Sequence, residues 1–220
     1  MKLIPATLLL SCVAFAATDT ENRINAATSV LQEIMATSDK AIPQDLLDKA
    51  ECAIVIPGMK KGAFIVGAKF GRGFMSCRTG GAGWSAPAGV RIEGGSVGFQ
   101  IGGSETDVVM LVLNKKGSEK LLESKFTLGG DVSVAAGPVG RTSTAETDAL
   151  MRAEILSWSR SRGVFAGISL KGSTMRGDEN TNKDLYGKEL TARDIVGGQV
   201  TTPQAGEAFI ALLTKYSGRK

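Results

Sequence analysis

Ser96-Val97-Gly98-Phe99-Gln100-Ile101-Gly102-Gly103-Ser104-Glu105-Thr106-Asp107-Val108-Val109-Met110-Leu111-Val112-Leu113 is the stretch whose reading decides the fold. In its first part Val97, Phe99 and Ile101 alternate with Gly98, Gln100 and Gly102, the period-two pattern of a strand with one apolar face. Gly103 to Thr106 carries turn chemistry. Val108 to Leu113 then gives six apolar residues without alternation, bounded by Asp107 and Asn114. A run this short reads as a strand covered on both faces. A buried helix segment is the competing reading, and the β-branched content and the neighbouring strand argue against it. The run therefore belongs at the centre of a sheet or small barrel.

Glycine sets the character of the surroundings. The chain of 220 residues holds 28 of them, most between Gly58 and Gly177 and set among Val, Ile and Phe. Glycine inside strands marks bulges, sharp bends or close backbone approach. The expectation is a strongly curved antiparallel sheet. Further strands are expected at Cys52–Ile56, stopped by Pro57-Gly58, then at Ala63–Phe70, Phe74–Thr79, 126–128, 132–136, 155–161 and 164–170. Pro87 makes Trp84–Ala88 an edge or a bulge.

Helices are expected at both ends. From Asp19 to Ser38, Ile24, Ala27, Leu31 and Ile34 share one face. Pro43 starts a short helix carrying Leu46, Leu47 and Ala50, and Lys116–Ser124 forms another. Asp178 to Asp184 reads as a polar loop entering a helix that ends near Tyr186-Gly187. Thr202-Pro203 opens a last helix, to Tyr216, that buries Phe209, Leu212 and Leu213. The fold class is thus α+β: a curved, Gly-rich antiparallel sheet or partial barrel flanked by N- and C-terminal helices.

The first residues pattern as a targeting segment. Lys2 precedes a mostly apolar run, and Ala14-Phe15-Ala16 fits a small-x-small cleavage site after Ala16. Residues 1–16 are then a signal peptide, 17–220 a single domain, and the protein is exported, periplasmic or membrane-associated. Leu10-Ser11-Cys12 offers a competing lipoprotein site at Cys12. Export permits a disulfide between Cys52 and Cys77, joining the first strand to the third. Two buried free thiols remain the alternative, because spacing does not give geometry.

Composition excludes several functions. With no histidine, His triads, His general bases and His metal ligands are ruled out. Gly94-Gly95-Ser96-Val97-Gly98 matches G-x-S-x-G but leads into a strand and lacks a His base. Gly81 to Ala86 resembles a dinucleotide fingerprint, but Pro87-Ala88-Gly89 offers no helix start. No enzyme activity, cofactor or metal is expected. A hydrolase using Ser or Asp is the remote competitor.

Charge points elsewhere. From Glu51 to Arg176 there are 16 Lys and Arg against 10 Asp and Glu. Lys60, Lys61, Lys69 and Arg72 cluster near the start of this region, and Arg160, Arg162, Lys171 and Arg176 near its end. If the two hairpins lie side by side they form one basic patch suited to phosphates; a solvated mixed-charge surface is the alternative. Export and the scarcity of aromatics disfavour nucleic acid. The N-terminal part is acidic, so its helix is expected to pack on the sheet instead of lying in a membrane interface.

These residues resemble the SYLF domain family of lipid-binding proteins, also described as actin-binding domains. The resemblance rests on Ala53-Ile54-Val55-Ile56-Pro57, Lys61-Gly62-Ala63-Phe64-Ile65-Val66-Gly67, Trp84-Ser85-Ala86-Pro87 and Gly95 to Gly102. It continues through Gly137-Pro138-Val139-Gly140-Arg141, Gly163 to Gly172 and Asn182-Lys183-Asp184-Leu185-Tyr186-Gly187. The resemblance implies phospholipid binding through basic surface residues and an amphipathic N-terminal helix, with no catalytic residues to carry over. The exported form looks like a bacterial branch, for which actin and phosphoinositides are not expected partners. The resulting expectation is a peripheral protein that binds anionic lipid head groups through Lys60, Lys61, Lys69, Arg72, Arg160 and Arg162. A cell-envelope scaffold that binds another protein is the alternative.

Overall fold

The apolar run lies in strand β4 (Gly102–Val112). In the computed structural model, residues 17–36, 42–63, 66–80, 83–97, 102–138, 152–161 and 164–217 are described. Residues 1–16, expected above to be a signal peptide, with Cys12 among them, and Arg162 lie outside the described residues. β4 pairs antiparallel with β1 (Cys52–Ala63) on one side and β7 (Ile155–Ser161) on the other. Val108, Met110 and Val112 enter one core, while Val109 and Leu111 enter a second on the opposite face. All five are essentially inaccessible, so the strand is covered on both sides as its composition requires.

The remaining strands are β2 (Val66–Cys77), β3 (Ala88–Val97), β5 (Phe126–Thr127), β6 (Val134–Ala136), β8 (Val164–Gly167) and β9 (Ser173–Gly177). The sheet order is β5-β9-β3-β2-β1-β4-β7-β6, with β8 also on β7. The sheet curls into a half-barrel. Pairing is antiparallel apart from β6 on β7, which is parallel.

Several expected boundaries move. Gly103 to Thr106 is not a turn but continues β4, paired with Gly62, Lys61, Lys60 and Met59 of β1. The chain does not stop at Pro57-Gly58 either. The register shifts between Ile56 and Met59, a bulge that absorbs a proline in a central strand, with Gly58 at φ +57°. Three expected strands are therefore two, β1 and β2, and Cys52 pairs directly with Cys77 on the neighbouring strand. These two sulfurs form a disulfide. The 173–177 strand went unread because Gly172 and Gly177 bracket a mostly polar segment. Ser96 sits in β3 opposite Gly67, not on a strand-to-helix turn.

Helices cover one face. α1 (Asp19–Ala36) buries Ile24, Ala27, Val30, Leu31 and Ile34, and α2 (Gln44–Lys49) buries Leu46 and Leu47. Each such aliphatic side chain contributes about 1.5–3 kcal/mol on burial. α6 (Gln204–Tyr216) adds Phe209 and Leu213 to the same core. α3 (Lys115–Leu121) is capped by the Asn114 side chain, which accepts from Gly117 N–H, and sends Leu121 into the other core. α4 (Glu179–Tyr186) occupies the segment read as a polar loop. Asp178 caps its start and Gly187, at φ +68°, ends it. α5 (Ala192–Asp194) opens with a Thr191–Asp194 capping box and runs into a π turn over Ile195–Gln199.

Candidate functional site

Past the Gly58 bulge, β1 carries Lys60 and Lys61, and β2 returns with Lys69 and Phe70. Lys60 is directly opposite Phe70, and Lys61 is directly opposite Lys69. Strand alternation puts Lys60 and Phe70 on the helix-bearing face of the sheet and Lys61 and Lys69 on the other. Like charges facing each other across an antiparallel pair are destabilising. Their other neighbours, Ser104 beside Lys61 and Gly94 beside Lys69, bring no carboxylate. Among the described residues, none of the three lysines forms an ion pair. Phe70 is 45% exposed, the one large hydrophobic side chain left in solvent among the described residues. The disulfide ties the opposite end of the same strand pair.

Arg72 is placed differently. Its Nε donates to Asp178 Oδ2 at 2.5 Å, and its Nη2 donates to Asp178 Oδ1 at 3.0 Å and to Thr181 Oγ1 at 3.1 Å. Burial pushes the Asp178 carboxyl up, but the Arg72 fork and the Thr181 hydroxyl and N–H outweigh it and hold the group below its usual range. The same hydrogen bonds hold the Arg72 guanidinium above its usual value. Arg23 of α1 also reaches Thr181 Oγ1, at 3.4 Å, so this clamp joins β2, α1 and α4.

Arg160 on β7 is likewise committed. Its Nη2 and Nε lie 2.7 and 2.8 Å from Asp107 Oδ2, and its Nη1 meets Glu33 of α1. Asp107 Oδ1 accepts from the bulge N–H of Gly58 at 2.9 Å. The structure thus brings Lys60, Lys61 and Lys69 together at one end of β1 and β2, and sets Arg72 and Arg160 in carboxylate clamps. Phe70 was missed by the sequence reading; only its parity with Phe74, which is buried, distinguishes it, and parity cannot tell which of the two a helix covers.

The Asn182–Gly187 motif holds the fold together. Asn182 Oδ1 accepts from Gly89 N–H at 2.6 Å, its Nδ2 donates to the Leu190 carbonyl at 3.0 Å, and Tyr186 donates to the Pro87 carbonyl at 2.8 Å. Burial pushes the Tyr186 phenol up. A Cβ at Gly89 would stand 2.7 Å from the Thr181 side chain, so α4 docks only on a glycine. Among the described residues no cluster of acidic or Cys side chains could hold a metal, and no helix is long and apolar enough to cross a membrane.

The domain is thus a half-barrel with both faces filled and three lysines gathered at one strand end. Residues 93–216 match the family model described as "Ysc84: Las17-binding protein actin regulator". An SH3 domain-containing protein from Schizosaccharomyces pombe is 34% identical over 180 residues, covering 80% of this chain and 41% of that protein. The SH3 domain-containing YSC84-like protein 1 of Bos taurus is 33% identical over 81% of this chain and 52% of its own length. LAS seventeen-binding protein 3 of Saccharomyces cerevisiae is 32% identical over 80% of this chain and 39% of its own. The chain belongs to the Ysc84, or SYLF, family, and spans about half or less of the length of these relatives.

Proposed function

We propose that this domain binds anionic phospholipid surfaces peripherally through Lys60, Lys61, Lys69 and the adjoining Phe70, and that it does so as an exported protein without catalysis. One observation carries the reading: Lys61 and Lys69 face each other with no carboxylate neighbour, and Lys60, opposite Glu105, forms no ion pair among the described residues, whereas Arg72 and Arg160 are neutralised. An anionic surface supplies what the lysines lack, at about 1 kcal/mol per charge. An exposed aromatic beside them suits the head-group boundary. A protein partner is the second reading, favoured by the family description, which names Las17 binding.

Flotation with phosphatidylcholine vesicles, with and without phosphatidylglycerol, tests the proposal. The wild type is expected to float only with the anionic vesicles, and less as salt rises. Reversing both Lys60 and Lys61 to Glu is expected to weaken binding by about thirtyfold or more, roughly 2 kcal/mol, with an unchanged circular dichroism spectrum. Phe70→Ala is expected to weaken it further. Undiminished binding by the double variant at high salt would overturn the mechanism. Absence of wild-type binding would leave protein docking as the better reading.

A further inference from the structure

β6 ends the order of strands in the sheet, and its bonds to β7 fix which of its backbone groups face outward. Ile155 N–H donates to the Ser133 carbonyl at 3.0 Å, and Gly137 N–H donates to the Ser157 carbonyl at 2.8 Å. Val134 is in register with Ile155, and Ala136 with Ser157. Along a parallel strand, successive residues turn their N–H and C=O to opposite sides. Ser133, Ala135 and Gly137 therefore serve β7, and the N–H and C=O of Val134 and Ala136 point to the outer edge. Among the described residues no strand pairs with that edge.

A groove of about 370 Å³ lies against it. Gly129, Ser133, Ala135, Ala136, Ala153 and Ser169 make up most of the wall, and such small side chains let another backbone approach to hydrogen-bond distance. Edge strands are ordinarily guarded by a charge, a proline or a bulge. Val134-Ala135-Ala136 has none of these. The charged residues of the wall are Arg152 and Lys171, both exposed and, among the described residues, without an ion pair. No carboxylate is among the described residues that line it. Glu154, two positions beyond Arg152, is already held by Lys116 Nζ at 3.1 Å and by Ser133 N–H at 2.8 Å. Both cations stand where β6 begins. The Arg152 carbonyl accepts from the Ser133 hydroxyl at 3.1 Å, and a Cβ on Gly129 would lie 2.8 Å from Lys171 Cγ.

We propose that β6 takes up an extended acidic peptide segment of a partner protein as an added strand. The outward groups of Val134 and Ala136 supply the backbone pairing, and Arg152 and Lys171 select acidic side chains at the end where β6 begins. The residues are not those of the lysine cluster, so this proposal and the lipid reading stand or fall separately.

Fluorescence anisotropy with a labelled hexapeptide of alternating Val and Glu tests the proposal, with a Val and Lys hexapeptide as control. The wild type is expected to bind the first and not the second. Reversing Arg152 and Lys171 together to Glu, both at exposed positions, is expected to weaken binding at least tenfold. Methylating alternate peptide nitrogens on the pairing side keeps every charge and is expected to cost about tenfold. Ala136→Pro removes one outward N–H and no bond to β7, and is expected to weaken binding several-fold at an unchanged melting temperature. Reversal of Lys60 and Lys61 is expected to leave peptide affinity intact. The proposal is overturned if the acidic peptide does not bind, if the basic one binds equally, or if binding survives both N-methylation and the charge reversal at Arg152 and Lys171. Loss of peptide binding on reversal of Lys60 and Lys61 would move the site to the lysines and overturn it as well. A wild type that self-associates, and is made monomeric by Ala136→Pro, would put a second copy on this edge instead.

Discussion

Replacing Asp178 removes two contributions at once, and they separate by choice of side chain. The carboxylate is 2% exposed and takes the Arg72 fork, whose own side chain is 31% exposed. Breaking a fully buried pair costs about 3–5 kcal/mol. Because the stranded guanidinium can rehydrate, we discount this to about 2 kcal/mol. Loss of the α4 cap adds about 1 kcal/mol. Asp178→Ala is therefore expected to lose about 3 kcal/mol, and Asp178→Asn, which keeps a capping oxygen, about 2 kcal/mol. At about 2–4 °C per kcal/mol for a domain of this size, the alanine variant melts some 6–12 °C lower. The pH dependence has a definite sign. The folded-state pKa is depressed, so the stabilisation is complete above the unfolded carboxylate value near pH ~4 and disappears as pH falls through the folded value. Thermal melts of wild type and Asn variant from pH 7 downward should thus converge in strong acid. Equal stability at neutral pH, or a gap that stays constant into acid, would refute the clamp.

Reduction of Cys52–Cys77 is expected to lower stability by about 3 kcal/mol, seen as an earlier urea midpoint. Mass spectrometry of the folded protein purified without reductant should show no alkylatable thiol at either position. Met110 is fully buried at the centre of β4, so Met110→Asp should abolish the cooperative melt, while Met110→Leu should cost less than about 1.5 kcal/mol. A cooperatively folding Asp variant would contradict the central placement of that strand.

Local pattern was enough for the elements that are periodic. The apolar stripe of α1 and the unalternating run of β4 each state in a few residues which sides must be covered. Pattern failed where a neighbour decides. Gly103 to Thr106 has turn residues, yet β1 lies beside it and supplies partners, so it stays extended. Asp178 to Asp184 is polar enough for a loop, yet Asp178, Thr181 and Asn182 are buried because β3 and Arg72 receive them. The surplus of basic residues was likewise legible, but which cations remain available was not. Arg72 is matched by a residue 106 positions away and Arg160 by one 53 positions away. Composition counts charges, whereas neutralisation is a contact of a few ångströms made only when distant segments fold together. That is why Lys60, Lys61 and Lys69, equivalent to the two arginines in the sequence, differ from them in the folded protein.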